Sequence, residues 1–142
     1  MYKRILLAVD LNDDWSWHKA LPTTLQMCKA FSAELEVISV IPPYGNSWVG
    51  EFFPKGYELK MITQLEAHLK KFIERNIPQD VAVNYKSSMG KVYEEVIEHA
   101  DNINADLIVM ASHNPSSKDY VMGPNASQVV RRTTRSVLVV RG

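Results

Sequence analysis

The chain has 142 residues, of which 46% are hydrophobic and 23% are charged, with 16 basic and 16 acidic side chains. At about 100 to 200 residues per domain, this length predicts one globular domain over residues 1–142 and excludes a two-domain enzyme. The balanced charge favours neither a nucleic acid nor an anionic membrane surface as a partner.

The first half of the chain alternates apolar runs with a helical pattern. Residues 5–9 form a continuous apolar run that stops at Asp10, which is typical of a strand buried on both faces of a parallel sheet. Apolar residues then recur at helical spacing over residues 17–31 and predict helix one. Residues 35–41 predict a second strand, which ends at two prolines.

The second half continues the alternation after a long aromatic loop. The remaining predicted elements are, in chain order, a loop over 42–56, helix two from 59 to before 78, a short strand over 81–85, helix three after 90, strand four over 106–111, a loop over 112–122, helix four over 123–134 and strand five over 137–140. This βαβαβαβαβ order predicts an open parallel sheet with helices on both faces and right-handed crossovers.

The chain order also predicts where a ligand binds. In an open parallel sheet, ligands bind beyond the carboxyl ends of the strands, where the strand order reverses. The site should therefore be built from residues 8–12, 40–42 and 111–125. Gly123 begins a helix whose free N–H groups can bind phosphate, but Gly123 and Pro124 also suit a plain helix start. The residues alone leave both interpretations open.

Six segments together resemble the universal stress protein family, in its short bacterial form. They are Ile5-Leu6-Leu7-Ala8-Val9-Asp10, residues 35–40, residues 90–97, Ala105-Asp106-Leu107-Ile108-Val109-Met110-Ala111-Ser112-His113, residues 123–127 and residues 136–141. The resemblance implies a Rossmann-like sheet of the adenine nucleotide alpha hydrolase type with strand order 3-2-1-4-5. It also implies homodimers and, in one class of the family, an ATP site.

The resemblance also implies a set of nucleotide-binding residues. Asp10 and the main chain around Ala8 and Val40 would hold the adenine, while Met110 and Ala111 would lie under the nucleoside. The complete set is Ala8, Val9, Asp10, Val40, Met110, Ala111, Ser112, His113, Asn114, Gly123, Pro124 and Asn125. The cofactor expected there is ATP or ADP, accompanied by Mg²⁺.

The phosphate side of this set departs from the family pattern. Ala111 and Asn114 stand where the pattern has glycines, and eight rather than nine residues separate Asn114 from Gly123. These two changes resemble a short-loop branch with a Ser-His-x-Pro segment. Pro124 replaces a serine, and proline has neither the hydroxyl nor the N–H that would face phosphate. We therefore expect weaker phosphate binding.

The sequence does not establish an enzyme. It contains no Walker A, Gly-x-Gly-x-x-Gly, Gly-x-Ser-x-Gly or His-Glu-x-x-His pattern, so we expect no catalytic residue and no tightly bound metal. The main interpretation is a nucleotide-binding stress-response protein. The alternatives are a dimeric interaction module without a nucleotide, and a slow ATPase or autophosphorylating protein.

The location and the partners follow from the same features. The lone cysteine, Cys28, and the lack of a signal peptide or long apolar run predict a cytoplasmic protein without a membrane anchor. Residues 137–140 are expected at a sheet edge, where two copies of the chain could pair antiparallel into a homodimer. Any higher oligomer would be assembled from such dimers. An additional protein partner is expected, but the sequence does not identify it.

Overall fold

Five parallel strands form the sheet on which the described part of the chain is built. The computed structural model describes residues 1–42, 56–112 and 123–141. The strands are β1 (Arg4–Ala8), β2 (Glu34–Ile41), β3 (Val83–Met89), β4 (Leu107–Ala111) and β5 (Ser136–Val140). Their order is β3-β2-β1-β4-β5, and every pairing is parallel. The predicted fold class and strand order are confirmed.

Helices connect the strands and cover both faces of the sheet. They are α1 (Ala20–Phe31), α2 (Tyr57–Asn76), α3 (Val92–Asn102) and α4 (Pro124–Arg132). Within the described ranges, no helix is both long and apolar enough to cross a membrane. The predicted loops over 42–56 and 112–122 lie almost wholly outside the described residues.

The apolar strands are buried on two sides because successive side chains point to opposite faces of the sheet. Ile5 and Leu7 of β1 belong to the core beneath α1 and α2, together with Leu69 of α2. Leu6, between them, belongs to the core beneath α3 and α4, together with Val129. This arrangement explains why the run at residues 5–9 shows no polar alternation.

Two element boundaries differ from the sequence prediction by three or more residues. Helix one begins at Ala20 rather than at residue 17, because the carboxylate of Asp13 accepts the N–H of Trp15 at 3.0 Å and starts a short 3₁₀ helix, Asp14–Ser16. Strand three is Val83–Met89 rather than 81–85. Its polar second half was not recognised as a strand, although it pairs with β2 as far as Ile41.

Polar contacts hold α3 against the sheet. The ring Nε2 of His99 lies 2.9 Å from Oε1 of Glu36 in the middle of β2, and both side chains are largely buried. The hydroxyl of Ser88 on β3 donates to Glu95 on α3. The Glu95 contact therefore fixes the first turn of α3 at the carboxyl end of β3, and the His99 contact fixes its last turn against β2.

Asp106 joins the amino ends of β1 and β4. Its Oδ2 accepts the main-chain N–H groups of Lys3 and Arg4 at 2.8 and 2.9 Å, and its own N–H donates to the Arg4 carbonyl at 2.8 Å. The hydrogen bonds from Arg4 and Lys3 lower the pKa of the Asp106 carboxyl below its ordinary value of 3.8. The folded chain therefore binds this proton less readily than the unfolded chain.

Replacement of the Asp106 carboxylate should change how the free energy of unfolding depends on pH in the acid range. The contribution of Asp106 is complete above its unfolded pKa and is lost as the pH falls through the lowered pKa of the folded state. Asp106→Asn should therefore unfold at less urea than wild type near neutral pH, and the difference should shrink in acid. Asp80→Asn, at an exposed turn, is the matched control. A difference that is constant with pH would contradict the assignment.

Candidate functional site

A cavity of about 570 Å³ lies beyond the carboxyl ends of the central strands. Its walls come from the ends of β1, β2 and β4, from the 3₁₀ segment after β1, and from the first turns of α3 and α4. The strand order reverses at β1, which pairs with β2 on one side and β4 on the other. The cavity is therefore at the topological switch point, where doubly wound folds bind ligands.

The segment after β1 forms a closed turn around Asp10. The N–H of Asp10 donates to the hydroxyl of Ser16 at 2.8 Å, and this hydroxyl donates to the Asp10 carbonyl at 2.9 Å. Oδ1 of Asp10 accepts the N–H of Asn12 at 2.9 Å. The side chain of Asp10 therefore closes the turn that follows β1. Among the described residues, no group donates to Oδ2, so this oxygen remains for a ligand.

Trp15 links this turn to the end of β4. Its indole Nε1 donates to the carbonyl of Ser112 at 3.2 Å, and the N–H of Ser112 donates to the carbonyl of Val140 at 2.7 Å. Met110 is 6% exposed and Ser112 is 7% exposed. The main-chain N–H and carbonyl of Ser112 are therefore both hydrogen-bonded within the protein.

The N-terminus of α4 forms another part of the wall. The first helical hydrogen bond runs from Ser127 N–H to the carbonyl of Gly123 at 2.9 Å, so the N–H groups of Asn125 and Ala126 have no acceptor within the helix. These two donors and the helix dipole favour an anion. Gly123 has φ −61° and ψ 164°, which any residue adopts, so its backbone does not require glycine.

Ser39 is a polar residue in the buried part of β2. It is 2% exposed and lines the cavity. Within the described ranges, no group forms a hydrogen bond with its hydroxyl. The hydroxyl oxygen itself is not enclosed, and it can donate to or accept from a polar ligand atom.

The described wall of the cavity carries negative rather than positive charge. Its ionisable side chains are Asp10 and Asp13, and no lysine, arginine or histidine is among the described lining residues. The described residues also contain no cluster of three or more His, Cys, Asp or Glu side chains that could hold a metal ion.

The structure brings most of the predicted site residues together. Ten line the cavity: Ala8, Val9, Asp10, Val40, Met110, Ala111, Ser112, Gly123, Pro124 and Asn125. His113 and Asn114 lie outside the described residues. The role of the ten residues in nucleotide binding stays a prediction, because their position around a cavity does not identify its ligand.

Sequence reasoning missed part of the wall. Asp13, Ser39 and Leu65 line the cavity, as does Val96 of α3. Ser39 could have been noticed, since it is polar within an otherwise apolar strand end. Leu65 and Val96 match the apolar periodicity of their helices, so no local signal distinguishes them from core residues.

The fold and the cavity together define a doubly wound α/β protein with a cavity at its switch point. Residues 1–141 match the sequence model of the Universal stress protein family. The chain therefore belongs to the universal stress protein family, as the sequence resemblance indicated.

Three similar proteins illustrate the match. Universal stress protein G of Escherichia coli O157:H7 is 27% identical over 143 residues, with 99% of this chain and 100% of the relative covered. Universal stress protein UspA from Lactobacillus plantarum has a similar structure, with a TM-score of 0.74, 18% identity and coverage of 99% and 98%. A universal stress protein crystallised in complex with cAMP has a TM-score of 0.66, 20% identity and coverage of 98% and 96%. At these identities, the two structures show the fold alone.

The Ser16 hydroxyl should be important for the turn that carries Asp10. Ser16→Ala removes both hydrogen bonds to the Asp10 main chain, and we expect it to lower the free energy of unfolding by about 1 to 2 kcal/mol in urea titrations. Ser127→Ala is the control, because none of the described residues bonds to that hydroxyl. Equal stability of the two variants would show that the Ser16 bonds do not hold the turn.

Proposed function

We propose that this universal stress protein binds an adenine nucleotide in the cavity at the switch point. The observation that carries the proposal is the convergence of Asp10, Val40, Ala111 and Gly123, which are far apart in sequence, on one cavity. Its volume of about 570 Å³ lies within the range of about 300 to 1,000 Å³ of small-molecule sites. The cAMP complex of a structurally similar protein supports an adenine ligand.

The proposed orientation follows from the polar groups that remain available. The adenine lies at the ends of β1 and β2, where Oδ2 of Asp10 accepts its exocyclic amine. A phosphate lies at the start of α4, where the N–H groups of Asn125 and Ala126 donate to it. Met110 and Ala111, at the end of β4, pack beneath the nucleoside.

Nucleotide binding acts by changing the conformation of the protein rather than by rapid catalytic turnover of the nucleotide. A stress-response role is inherited from the family, and the ligand-bound and ligand-free states would differ in how they engage another protein. We place this activity in the cytoplasm, where a lone buried thiol such as Cys28 stays reduced. The alternatives remain a module that binds no nucleotide and a slow ATPase or autophosphorylating protein.

An adenine compound should stabilise the purified chain. A ligand that binds only the folded state stabilises it by about 2.7 kcal/mol at a hundredfold excess over its Kd, so adenosine or an adenine nucleotide should raise the melting temperature. Asp10→Asn keeps an oxygen for Asn12 but replaces the free acceptor with a donor. This variant should bind adenosine about tenfold more weakly in calorimetric titrations.

Asp14→Asn is the matched control for Asp10→Asn. Asp14 belongs to the same segment and carries the same charge, but it is exposed and does not line the cavity. It should bind adenosine as wild type does. If no adenine compound shifts the melting temperature of the wild type, the module without a nucleotide becomes the better description. A phosphate adduct in intact mass spectra after incubation with ATP would favour autophosphorylation.

We also propose that two copies of the chain pair through β5. This strand ends the sheet order next to β4, and its side chains from Val137 to Val140 are only partly buried. An edge strand with β-branched side chains invites pairing with a second strand. Antiparallel pairing about a two-fold axis would close the assembly as a dimer rather than a fibre.

A charge on β5 should weaken this dimer. Val139→Lys would place like charges near each other across the two-fold axis, and light scattering should then find monomers at concentrations where wild type is dimeric. Leu59→Lys is the control, since Leu59 is 69% exposed on α2, away from β5. Monomeric wild type at micromolar concentration, or an unaffected Val139→Lys dimer, would refute pairing through β5.

A further inference from the structure

Trp15 and Ser112 connect the cavity with the edge strand β5. Trp15 lines the cavity, and its indole Nε1 donates to the carbonyl of Ser112 at 3.2 Å. The N–H of Ser112 in turn donates at 2.7 Å to the carbonyl of Val140, the last residue of β5. A change in the position of Trp15 therefore acts on a residue that is bonded directly to β5.

Local contacts hold the indole in this position. The main-chain N–H of Trp15 donates to the carboxylate of Asp13 at 3.0 Å, and the indole packs against the ring of His18 with the centroids 5.2 Å apart. Both contacts lie within the segment that follows β1. Among the described residues, the bond from Trp15 to Ser112 is the hydrogen bond that joins this segment to the end of β4.

A ligand in the cavity would bias this bond. Trp15 is half-buried, so its indole can exchange the Ser112 carbonyl for water at the surface. In the bonded position, the residue is part of the cavity wall and can contact a ligand, whereas an indole turned into solvent loses that contact. A ligand shifts an equilibrium by the difference between its affinities for the two states, so a ligand that contacts Trp15 favours the bonded position.

We propose that binding in the cavity strengthens the pairing of two chains through β5, and that Trp15 transmits this effect. The inference rests on the proposed adenine site and the proposed dimer, and it adds an energetic link between them. The bond from Ser112 extends the pairing of β4 with β5 beyond the last residue pair, Ala111 and Val140. An edge strand that is already held in the sheet loses less freedom when it pairs with a second copy.

The dimer Kd of the purified full chain, measured by analytical ultracentrifugation with and without saturating adenosine, tests the link. We expect adenosine to lower the dimer Kd about fivefold, as the net contribution of one hydrogen bond allows. Linkage is reciprocal, so adenosine should also bind more tightly at protein concentrations above the dimer Kd than below it.

Trp15→Phe tests the route of transmission. Phenylalanine keeps an aromatic ring at this position but has no N–H for the Ser112 carbonyl. This variant should still bind adenosine and form dimers, but adenosine should change its dimer Kd by less than about twofold. A variant that merely loses stability would not lose this response.

Trp17→Phe is the matched control. It removes the same N–H from a neighbouring tryptophan whose enclosed Nε1 has no hydrogen-bond partner among the described residues. Trp17 packs against Phe72 and is not among the described residues that line the cavity. Trp17→Phe should therefore keep the full effect of adenosine on the dimer Kd.

Amide hydrogen exchange of the ligand-free chain tests the bond between Trp15 and Ser112 by itself. In Trp15→Phe, Ser112 is held on one side only, so its N–H should exchange about fivefold faster than in wild type. Trp17→Phe should leave this exchange unchanged. Equal exchange in wild type and Trp15→Phe would overturn the role of Trp15.

The outcomes separate this inference from the two proposals on which it rests. Adenosine binding with an unchanged dimer Kd would overturn the link, while the adenine site and the dimer stand. A link that persists in Trp15→Phe would overturn transmission through Trp15 and assign it to β4, whose residues Met110 and Ala111 also line the cavity. Absence of adenosine binding would overturn the link together with the adenine site, and a monomeric wild type would overturn it together with the dimer.

Discussion

The two-sided pairing of β1 is the constraint on which the rest of the structure depends. β1 pairs with β2 on one side and with β4 on the other, and its apolar residues fill a core on each face of the sheet. Because the strand order reverses here, α1 and α2 lie on one face while α3 and α4 lie on the other. The connections leave the ends of β1 and β4 in opposite directions, and the space between them is the cavity.

Hydrogen bonds to neighbouring strands occupy main-chain N–H groups at the strand ends. The N–H of Val9 donates to Ile38, that of Ser112 to Val140 and that of Gly90 to Ile41, so the strand ends are closed by their neighbours. Under the proposed function, recognition uses a few side chains together with the N–H groups at the start of α4.

The sequence predicted those elements whose signal is local. β1 and β4 are apolar throughout because both of their faces are buried, and α2 and α3 show a clear apolar stripe. The second half of β3 has no such signal, because this strand lies at the sheet edge and its pairing with β2 rests on main-chain bonds. The 3₁₀ segment before α1 was also missed, since the carboxylate of Asp13 there competes with regular helix formation.

The sequence by itself determined the fold class, because apolar periodicity and chain order constrain a parallel sheet to few topologies. The resemblance of six segments to universal stress proteins indicated the family and the strand order. Only the tertiary structure decided which atoms are available in the cavity. Ser16 engages the main chain of Asp10 and leaves Oδ2 free, while Trp15 engages the carbonyl of Ser112. Ser39 becomes a cavity residue through burial by distant elements. Such long-range contacts leave no trace in local periodicity, since they depend on how separate elements pack.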